Sequence, residues 1–442
     1  MLEPSIRLTR ISAVFPLLCA SWLQASTTIQ EEQNWPQWRG PHATGVSKHA
    51  NPPIEWSETK NVRWKVEIPG RGTASPVIWE NRIFLLTAVP VGASGDAEHR
   101  PLGGSPSVPH RYLVLALNRQ TGKVAWEKEV RREAPHEAFS QGNSSYAASS
   151  AITDGEIVIA SFESRGIYAF DLEGKPLWQQ DLGRKSMRSQ FGEGSTPVLH
   201  GNTLVVVWDQ ITPGTSFVVA LDKRTGREIW RKPRDQIDTW ATPLVVEANG
   251  RPQAIAPGRD RVYAYDLANG EVVWSTTGLT MNPIPSPVSD GEIAYLMSGF
   301  QGNSLKAIRF NDAKGDITGT SAVVWTLNRD TPYVPSPLLY DGILYFLKTN
   351  DGILTAVEAK TGKPYYSNQR LTVPLIFSSP VGANGRVYIT GREGKTLVLK
   401  NGPRFEIVAT NQLDDGFDAS AALVGNELFL RGNKYLYCLA AP

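Results

Sequence analysis

Ala220-Leu221-Asp222-Lys223-Arg224-Thr225-Gly226-Arg227-Glu228-Ile229-Trp230 has a near copy in Ala116-Leu117-Asn118-Arg119-Gln120-Thr121-Gly122-Lys123-Val124-Ala125-Trp126. A small residue, an Asp or Asn, a Thr-Gly pair and a ring four residues after the glycine are kept while the rest varies. Ahead of each such stretch stand a Ser-Pro-like dipeptide, a strand, a turn and a second strand. The unit recurs about eight times along the chain, which is how a circular all-β propeller of four-stranded antiparallel blades appears in sequence.

The dipeptides that anchor the units are Ser75-Pro76, Ser150-Ala151, Thr196-Pro197, Thr242-Pro243, Ser286-Pro287, Ser336-Pro337, Ser379-Pro380 and Ser420-Ala421. After the first gap they are 41 to 50 residues apart, the length of one blade. Asp154-Gly155, Asp290-Gly291, Asp341-Gly342 and Asn384-Gly385 place the first hairpin of four units, because these pairs accept the positive φ of a tight turn. In the second hairpin the Asp or Asn bonds its own turn. The ring that follows, Trp126, Trp178, Trp230, Trp274 or Tyr366, is expected to wedge between neighbouring blades and bury roughly 150–250 Å².

The last unit has room for only three strands, ending at Tyr437-Cys438-Leu439-Ala440, while Val62–Ile68 reads as an orphan outer strand with its own ring, Trp64. Pairing the two closes an eight-bladed circle and removes two open edges. Residues 62–442 are therefore expected to form the propeller. Cys438 takes the place that Ala169 and Ala264 hold in other units and reads as a small buried filler.

Residues 1–25 read as a secretory signal: Arg7 and Arg10 precede an apolar run from Ile11 to Leu23, and Ala25-Ser26 offers a cleavage site. The run is too short to span a membrane comfortably, so no transmembrane span is expected after cleavage. Leu18 precedes Cys19 where a lipobox has a small residue, which makes a lipid anchor at Cys19 the lesser expectation. The chain is thus read as exported, periplasmic or extracellular, with residues 26–61 as a lead-in segment. A formal net charge of +2, from 45 basic and 43 acidic side chains, supplies no field for nucleic acid. A monomer is expected.

The Ala-x-Asp-x-x-Thr-Gly-x-x-x-Trp repeat resembles the tryptophan-docking motif of the pyrroloquinoline-quinone-like propeller family. That family includes quinoprotein alcohol dehydrogenases and, as a cofactor-free branch, the propeller lipoprotein of the outer-membrane β-barrel assembly machinery. Asn34-Trp35-Pro36-Gln37-Trp38-Arg39-Gly40-Pro41, with Gly45-Val46-Ser47 after it, is similar to the opening of a large group of exported bacterial propellers. For the enzymes, the resemblance implies a quinone held under a disulfide of adjacent cysteines, a Ca²⁺ bound by Glu and Asn, and an Asp base. This sequence has no Cys-Cys pair and no Cys-x-x-Cys-His, so none of those roles carries over to a numbered residue.

Candidate binding residues come from the loops on one face. Arg165, Asp209, Arg259, Asp260, Asp351, Arg392, Glu393 and Arg431 lie between second and third strands, and Trp240 and Asp418 lead into inner strands. The bland reading is solvated hairpin tips and ion pairs. The functional reading is a polar funnel that grips a small anion or an extended peptide, since arginine forks onto carboxylates. His42, His49, His99, His110, His136 and His200 lack metal-ligand spacing, and no Gly-x-Ser-x-Gly, Gly-x-x-x-x-Gly-Lys or His-Glu-x-x-His occurs. Two irregular stretches, Pro90 to His110 and Arg131 to Ser145, suit either functional loops or tolerated insertions. The expectation is a non-catalytic exported scaffold that binds an envelope protein or a small ligand on its face, with no cofactor and no metal. The alternative is an oxidoreductase using pyrroloquinoline quinone and calcium on alcohols or sugars.

Overall fold

In the computed structural model, which describes residues 32–92, 108–139, 142 and 144–441, eight sheets follow one another around an axis. The inner strands of blades 1 to 8 are Val77–Trp79, Ile152–Thr153, Val198–His200, Leu244–Ala248, Val288–Ser289, Leu338–Tyr340, Val381–Ala383 and Ala422–Val424. Each begins just after its anchor. The fourth strand of blade 8 is Val62–Glu67, antiparallel to Tyr435–Ala440 with Trp64 opposite Cys438. Burial pushes the Cys438 thiol up to about 12, which leaves it a space-filler. Residues 1–25, read above as a signal, and Cys19 lie outside the described residues, as does most of the insertion from Pro90 to His110.

The glycine of the second hairpin turn, in Thr-Gly or in Glu173-Gly174 and Asn269-Gly270, works as a seat for the ring of the preceding blade. Trp64, Trp126, Trp178 and Trp230 each lie on the glycine of the next unit, Gly122, Gly174, Gly226 and Gly270. Their indole Nε1 donates to the carbonyls of Arg119, Leu172, Lys223 and Leu267 at 2.7–3.0 Å. The contact demands glycine twice, for φ of +69° to +82° and because a Cβ would overlap the indole. Trp274 departs from this pattern. Blade 5 has the short turn Phe310–Asp312 in place of a seat glycine, and Trp274 is fully buried and donates to Gln253 of its own blade at 3.2 Å. Tyr366 has no glycine seat either and meets Phe405 edge-on, ring centroids 5.7 Å apart. The sequence reading passed over Trp325, which lies on Gly362 and donates to Ala359 at 2.9 Å.

Two blades carry a fifth strand. Gly315–Asp316 adds in parallel to the outer edge of blade 4, and Val46–Ser47 adds in parallel to the inner edge of blade 7. Blade 7 has Ala409 where the others have a ring. Asn411, two residues on, accepts from Trp56 N–H and donates to Ile54 C=O, and Trp56 stacks on Tyr388. The lead-in segment thereby supplies an aromatic ring next to the blade that lacks one.

Candidate functional site

The anchor hydroxyls make a girdle around the axis. The N–H of Ser75 donates to Ser150 Oγ, that of Ser150 to Thr196 Oγ1, and so on through Thr242, Ser286, Ser336, Ser379 and Ser420, at 2.9–3.2 Å. Seven links are made. The eighth, from Ser420 to Ser75, is absent, and the Ser75 hydroxyl is buried with no partner. This gap falls where the last blade meets the first.

The lead-in segment crosses the axis. Trp35 bridges to Ile78 of blade 1 and Pro36 C=O accepts from Thr153 of blade 2, while Arg39 donates to the Pro337 and Pro380 carbonyls of blades 6 and 7, both at 2.6 Å. Gly45 C=O then accepts from Gly382 N–H. Residues 36–46 therefore form a septum. Burial lowers the Arg39 guanidinium to about 9; its Nη atoms bond only to backbone carbonyls and its Nε is buried without a partner. On one side of the septum Pro36, Gln37, Pro41 and Val46 line an open basin of about 1280 Å³. On the other, Trp38 faces a funnel of about 380 Å³.

The residue two places before each anchor lines that funnel, in every one of the eight blades. Blades 1 to 3 contribute Thr73, Ala148 and Gly194; blades 4 to 7 contribute Trp240, Ile284, Val334 and Phe377; blade 8 contributes Asp418. One wall is small and the opposite wall is large and apolar. Phe191, Phe300 and Tyr333 add rings, the last two stacked with centroids 4.7 Å apart. Glu193 and Asp418 are the two carboxylates among the lining residues, and no lysine or arginine is among them.

Both carboxylates already have a cation. Asp418 accepts from Arg392 Nε at 2.6 Å, and that guanidinium lies 3.8 Å from the centre of the Phe377 ring. Glu193 accepts from Arg165 Nη1 at 2.8 Å and from Ser164 N–H at 2.9 Å. Behind it, Glu163 accepts from Lys185 Nζ at 3.0 Å and from Ser149 Oγ at 3.1 Å. Burial drives the Glu163 carboxyl up to about 7, against Lys185 and with help from the Glu193 charge. For Glu193 burial also acts upward, but Arg165 and Lys185 outweigh it and hold the carboxyl below its ordinary range. Glu163 is thus the member of the pair that keeps a proton longest.

Of the ten residues singled out in the sequence, Trp240 and Asp418 line the funnel and Arg392 stands behind Asp418. Arg165 and Arg431 turn inward: both are buried, Arg165 against Tyr112 and Tyr146, Arg431 donating to the Leu86 carbonyl at 2.6 Å. Asp209 is locked in a buried two-point pair with Arg234 at 2.7 and 3.0 Å. Arg259 and Asp260 face each other at 3.8 Å, Asp351 and Glu393 are exposed, and none of the four lines the funnel. The four arginines are therefore not gathered around the axis. The loops leading into inner strands, which the sequence puts on this face, also bring Phe191, Glu193, Tyr333 and Phe377 into the wall, Phe377 standing two places before Ser379 just as Trp240 does before Thr242; Trp38 and Phe300 were missed.

Fold and site together define a pyrroloquinoline-quinone-like propeller whose axial funnel is aromatic and charge-compensated. The chain belongs to the family described as outer membrane protein assembly factor BamB, whose profile matches residues 50–211 and 214–441. It is 27% identical over 159 residues to that factor from Kangiella koreensis, covering 35% of this chain and 38% of the relative. It is 23% identical over 365 residues to the tetrathionate hydrolase of Acidithiobacillus ferrooxidans, covering 75% and 69%. The fold is shared with BamB of Moraxella catarrhalis, TM-score 0.56 at 13% identity over 85% of this chain and 98% of that one. It is also shared with a europium-containing methanol dehydrogenase, TM-score 0.62 at 10% identity over 92% and 90%.

Proposed function

We propose that this protein is an exported, non-catalytic propeller that binds an envelope protein segment or a small ligand in its axial funnel. The observation that carries the reading is the funnel wall, rich in rings and closed to free charge, on a frame held rigid by the girdle and the docked tryptophans. Export rests on the basic and apolar N-terminal run, and the family's description, outer membrane protein assembly, suits a binding role in the envelope. No helix among the described residues is long and apolar enough to cross a membrane.

The quinone reading asks for other residues. A tricarboxylate quinone needs cations in the wall, and the two lining carboxylates face inward while their arginines stand behind them. Calcium needs several free oxygen ligands, and among the described residues no group of three Asp, Glu, His or Cys is placed to hold a metal. A hydrolytic reading, suggested by the name of the Acidithiobacillus relative, would look to Glu163 and Glu193, but Lys185 and Arg165 already occupy them. Calorimetric titration with pyrroloquinoline quinone and Ca²⁺, followed by dye-linked alcohol and sugar oxidation, tests the proposal. No saturable heat and no turnover are expected. Stoichiometric binding with turnover overturns it.

A further inference from the structure

We propose that the funnel receives an uncharged aromatic side chain presented on a peptide segment, packed against the rings of blades 4 to 7; this rests on the binding reading above. The wall is asymmetric in a way that fits one flat apolar group. Trp240 and Phe377, with Phe300 and Tyr333 between them in ring order, form the large side; Trp240 reaches toward blade 3, where its indole donates to Gly192 C=O at 2.7 Å and lies beside Gly194, and Ala148 next to it is the small side chain of the wall. Aromatic pairs gain from edge and offset contacts that a curved wall of rings provides. The septum ring Trp38 closes the bottom.

The polar groups present suit a peptide backbone. Anchor hydroxyls in the wall accept an N–H within the girdle and keep an O–H to donate, and Ser75 has a buried hydroxyl without any partner. Asn350 accepts Val334 N–H through Oδ1, which leaves its amide N–H₂ to donate. Donors near a peptide's carbonyls and rings near its side chain are what such a segment requires. A carboxylate or phosphate would face Glu193 and Asp418 with no cation in the wall to meet it, at an unrecovered desolvation cost.

The test is tryptophan fluorescence and calorimetry on the full chain with small neutral probes. N-acetyl-tryptophanamide and N-acetyl-phenylalaninamide should bind saturably, N-acetyl-serinamide should not, and N-acetyl-tryptophan, which adds a carboxylate, should bind about tenfold more weakly or not at all. Phe377→Ala should weaken the amides at least about tenfold, as loss of a buried contact ring does. Ala148→Leu puts a bulky side chain at the small position of the wall and should abolish binding while leaving circular dichroism and melting close to the parent. Arg259→Ala, outside the funnel lining, should change nothing. If no amide binds, or if Ala148→Leu folds and binds as before, the inference fails while the scaffold reading stands. Preferential binding of methyl glucoside would replace the aromatic group by a sugar ring. Stoichiometric uptake of the quinone with Ca²⁺ and turnover would overturn both readings.

Discussion

Between blades 2 and 3 the outer contact comes down to Trp178 lying on Gly226, where an added Cβ would stand 2.5 Å from the indole. Gly226→Ala should therefore combine left-handed strain of roughly 1–2 kcal/mol with overpacking of about 1–3 kcal/mol. Gly342→Ala is the control, since φ there is +74° and nothing lies within 4 Å; it should show the strain alone. Urea unfolding of the pair measures the difference, and equal losses would mean the docking contact does not depend on the glycine. Trp230→Ala should cost about 3–5 kcal/mol, and a loss under about 1 kcal/mol would place that ring at the surface. Glu163 makes a pH prediction. Its folded-state value, about 7, lies above the ordinary 4.5, so the stability it contributes is complete below about pH 4.5 and is lost as pH rises toward 7. Glu193, held below its ordinary value, acts in the other direction and at lower pH. Glu163→Gln should flatten the fall in melting temperature between pH 4.5 and 7, and an unchanged slope would contradict the assignment of the retained proton.

Closure is an element-level event because one strand, Val62–Glu67, joins the two ends of the ring. It pairs with Tyr435–Ala440, seats Trp64 on Gly122, and sets Arg63 beside Glu427, which Arg119 also holds at 2.5 Å. The same seam lacks its girdle link, so these contacts, together with Arg431 of blade 8 donating to the Leu86 carbonyl of blade 1, carry the join there. Removing the chain up to Ile68 should expose the edge of Tyr435–Ala440 and empty the Gly122 seat, producing aggregation or a markedly lower melting temperature. A truncated protein that melts like the parent would show that the ring closes by other means. The septum offers a finer probe. Arg39 forks onto two carbonyls from different blades, and a lysine point charge cannot reproduce that span. Arg39→Lys should speed amide exchange in the inner strands Leu338–Tyr340 and Val381–Ala383, while exchange at parental rates would leave the septum with no such holding role.

The circular architecture was open to reading because each blade restates the same local demands: a hairpin glycine, a self-bonded Asp or Asn, and a ring at a fixed interval. Even the irregular blades follow physical rules, since Trp274 packs within its own blade where its neighbour offers no seat glycine, and Trp325 docks on Gly362 as the other rings do. The binding surface was harder to see. Whether an arginine at a hairpin tip points to solvent or turns between blades depends on neighbours far away in sequence, as Arg165 does between Tyr112 and Tyr146 and Arg431 does at Leu86. The funnel wall follows one rule, two residues before each anchor, that only the radial arrangement makes evident, and Trp38 reaches it from a segment outside the repeat. What the account claims above all is that binding occurs in this funnel and not among the rim charges. The direct measurement is photocrosslinking in cells that express the protein, with a benzophenone side chain placed at Phe300 in one variant and at Arg259 in another. The account predicts a defined adduct from position 300 and none from position 259; an adduct from 259 with none from 300 would contradict it.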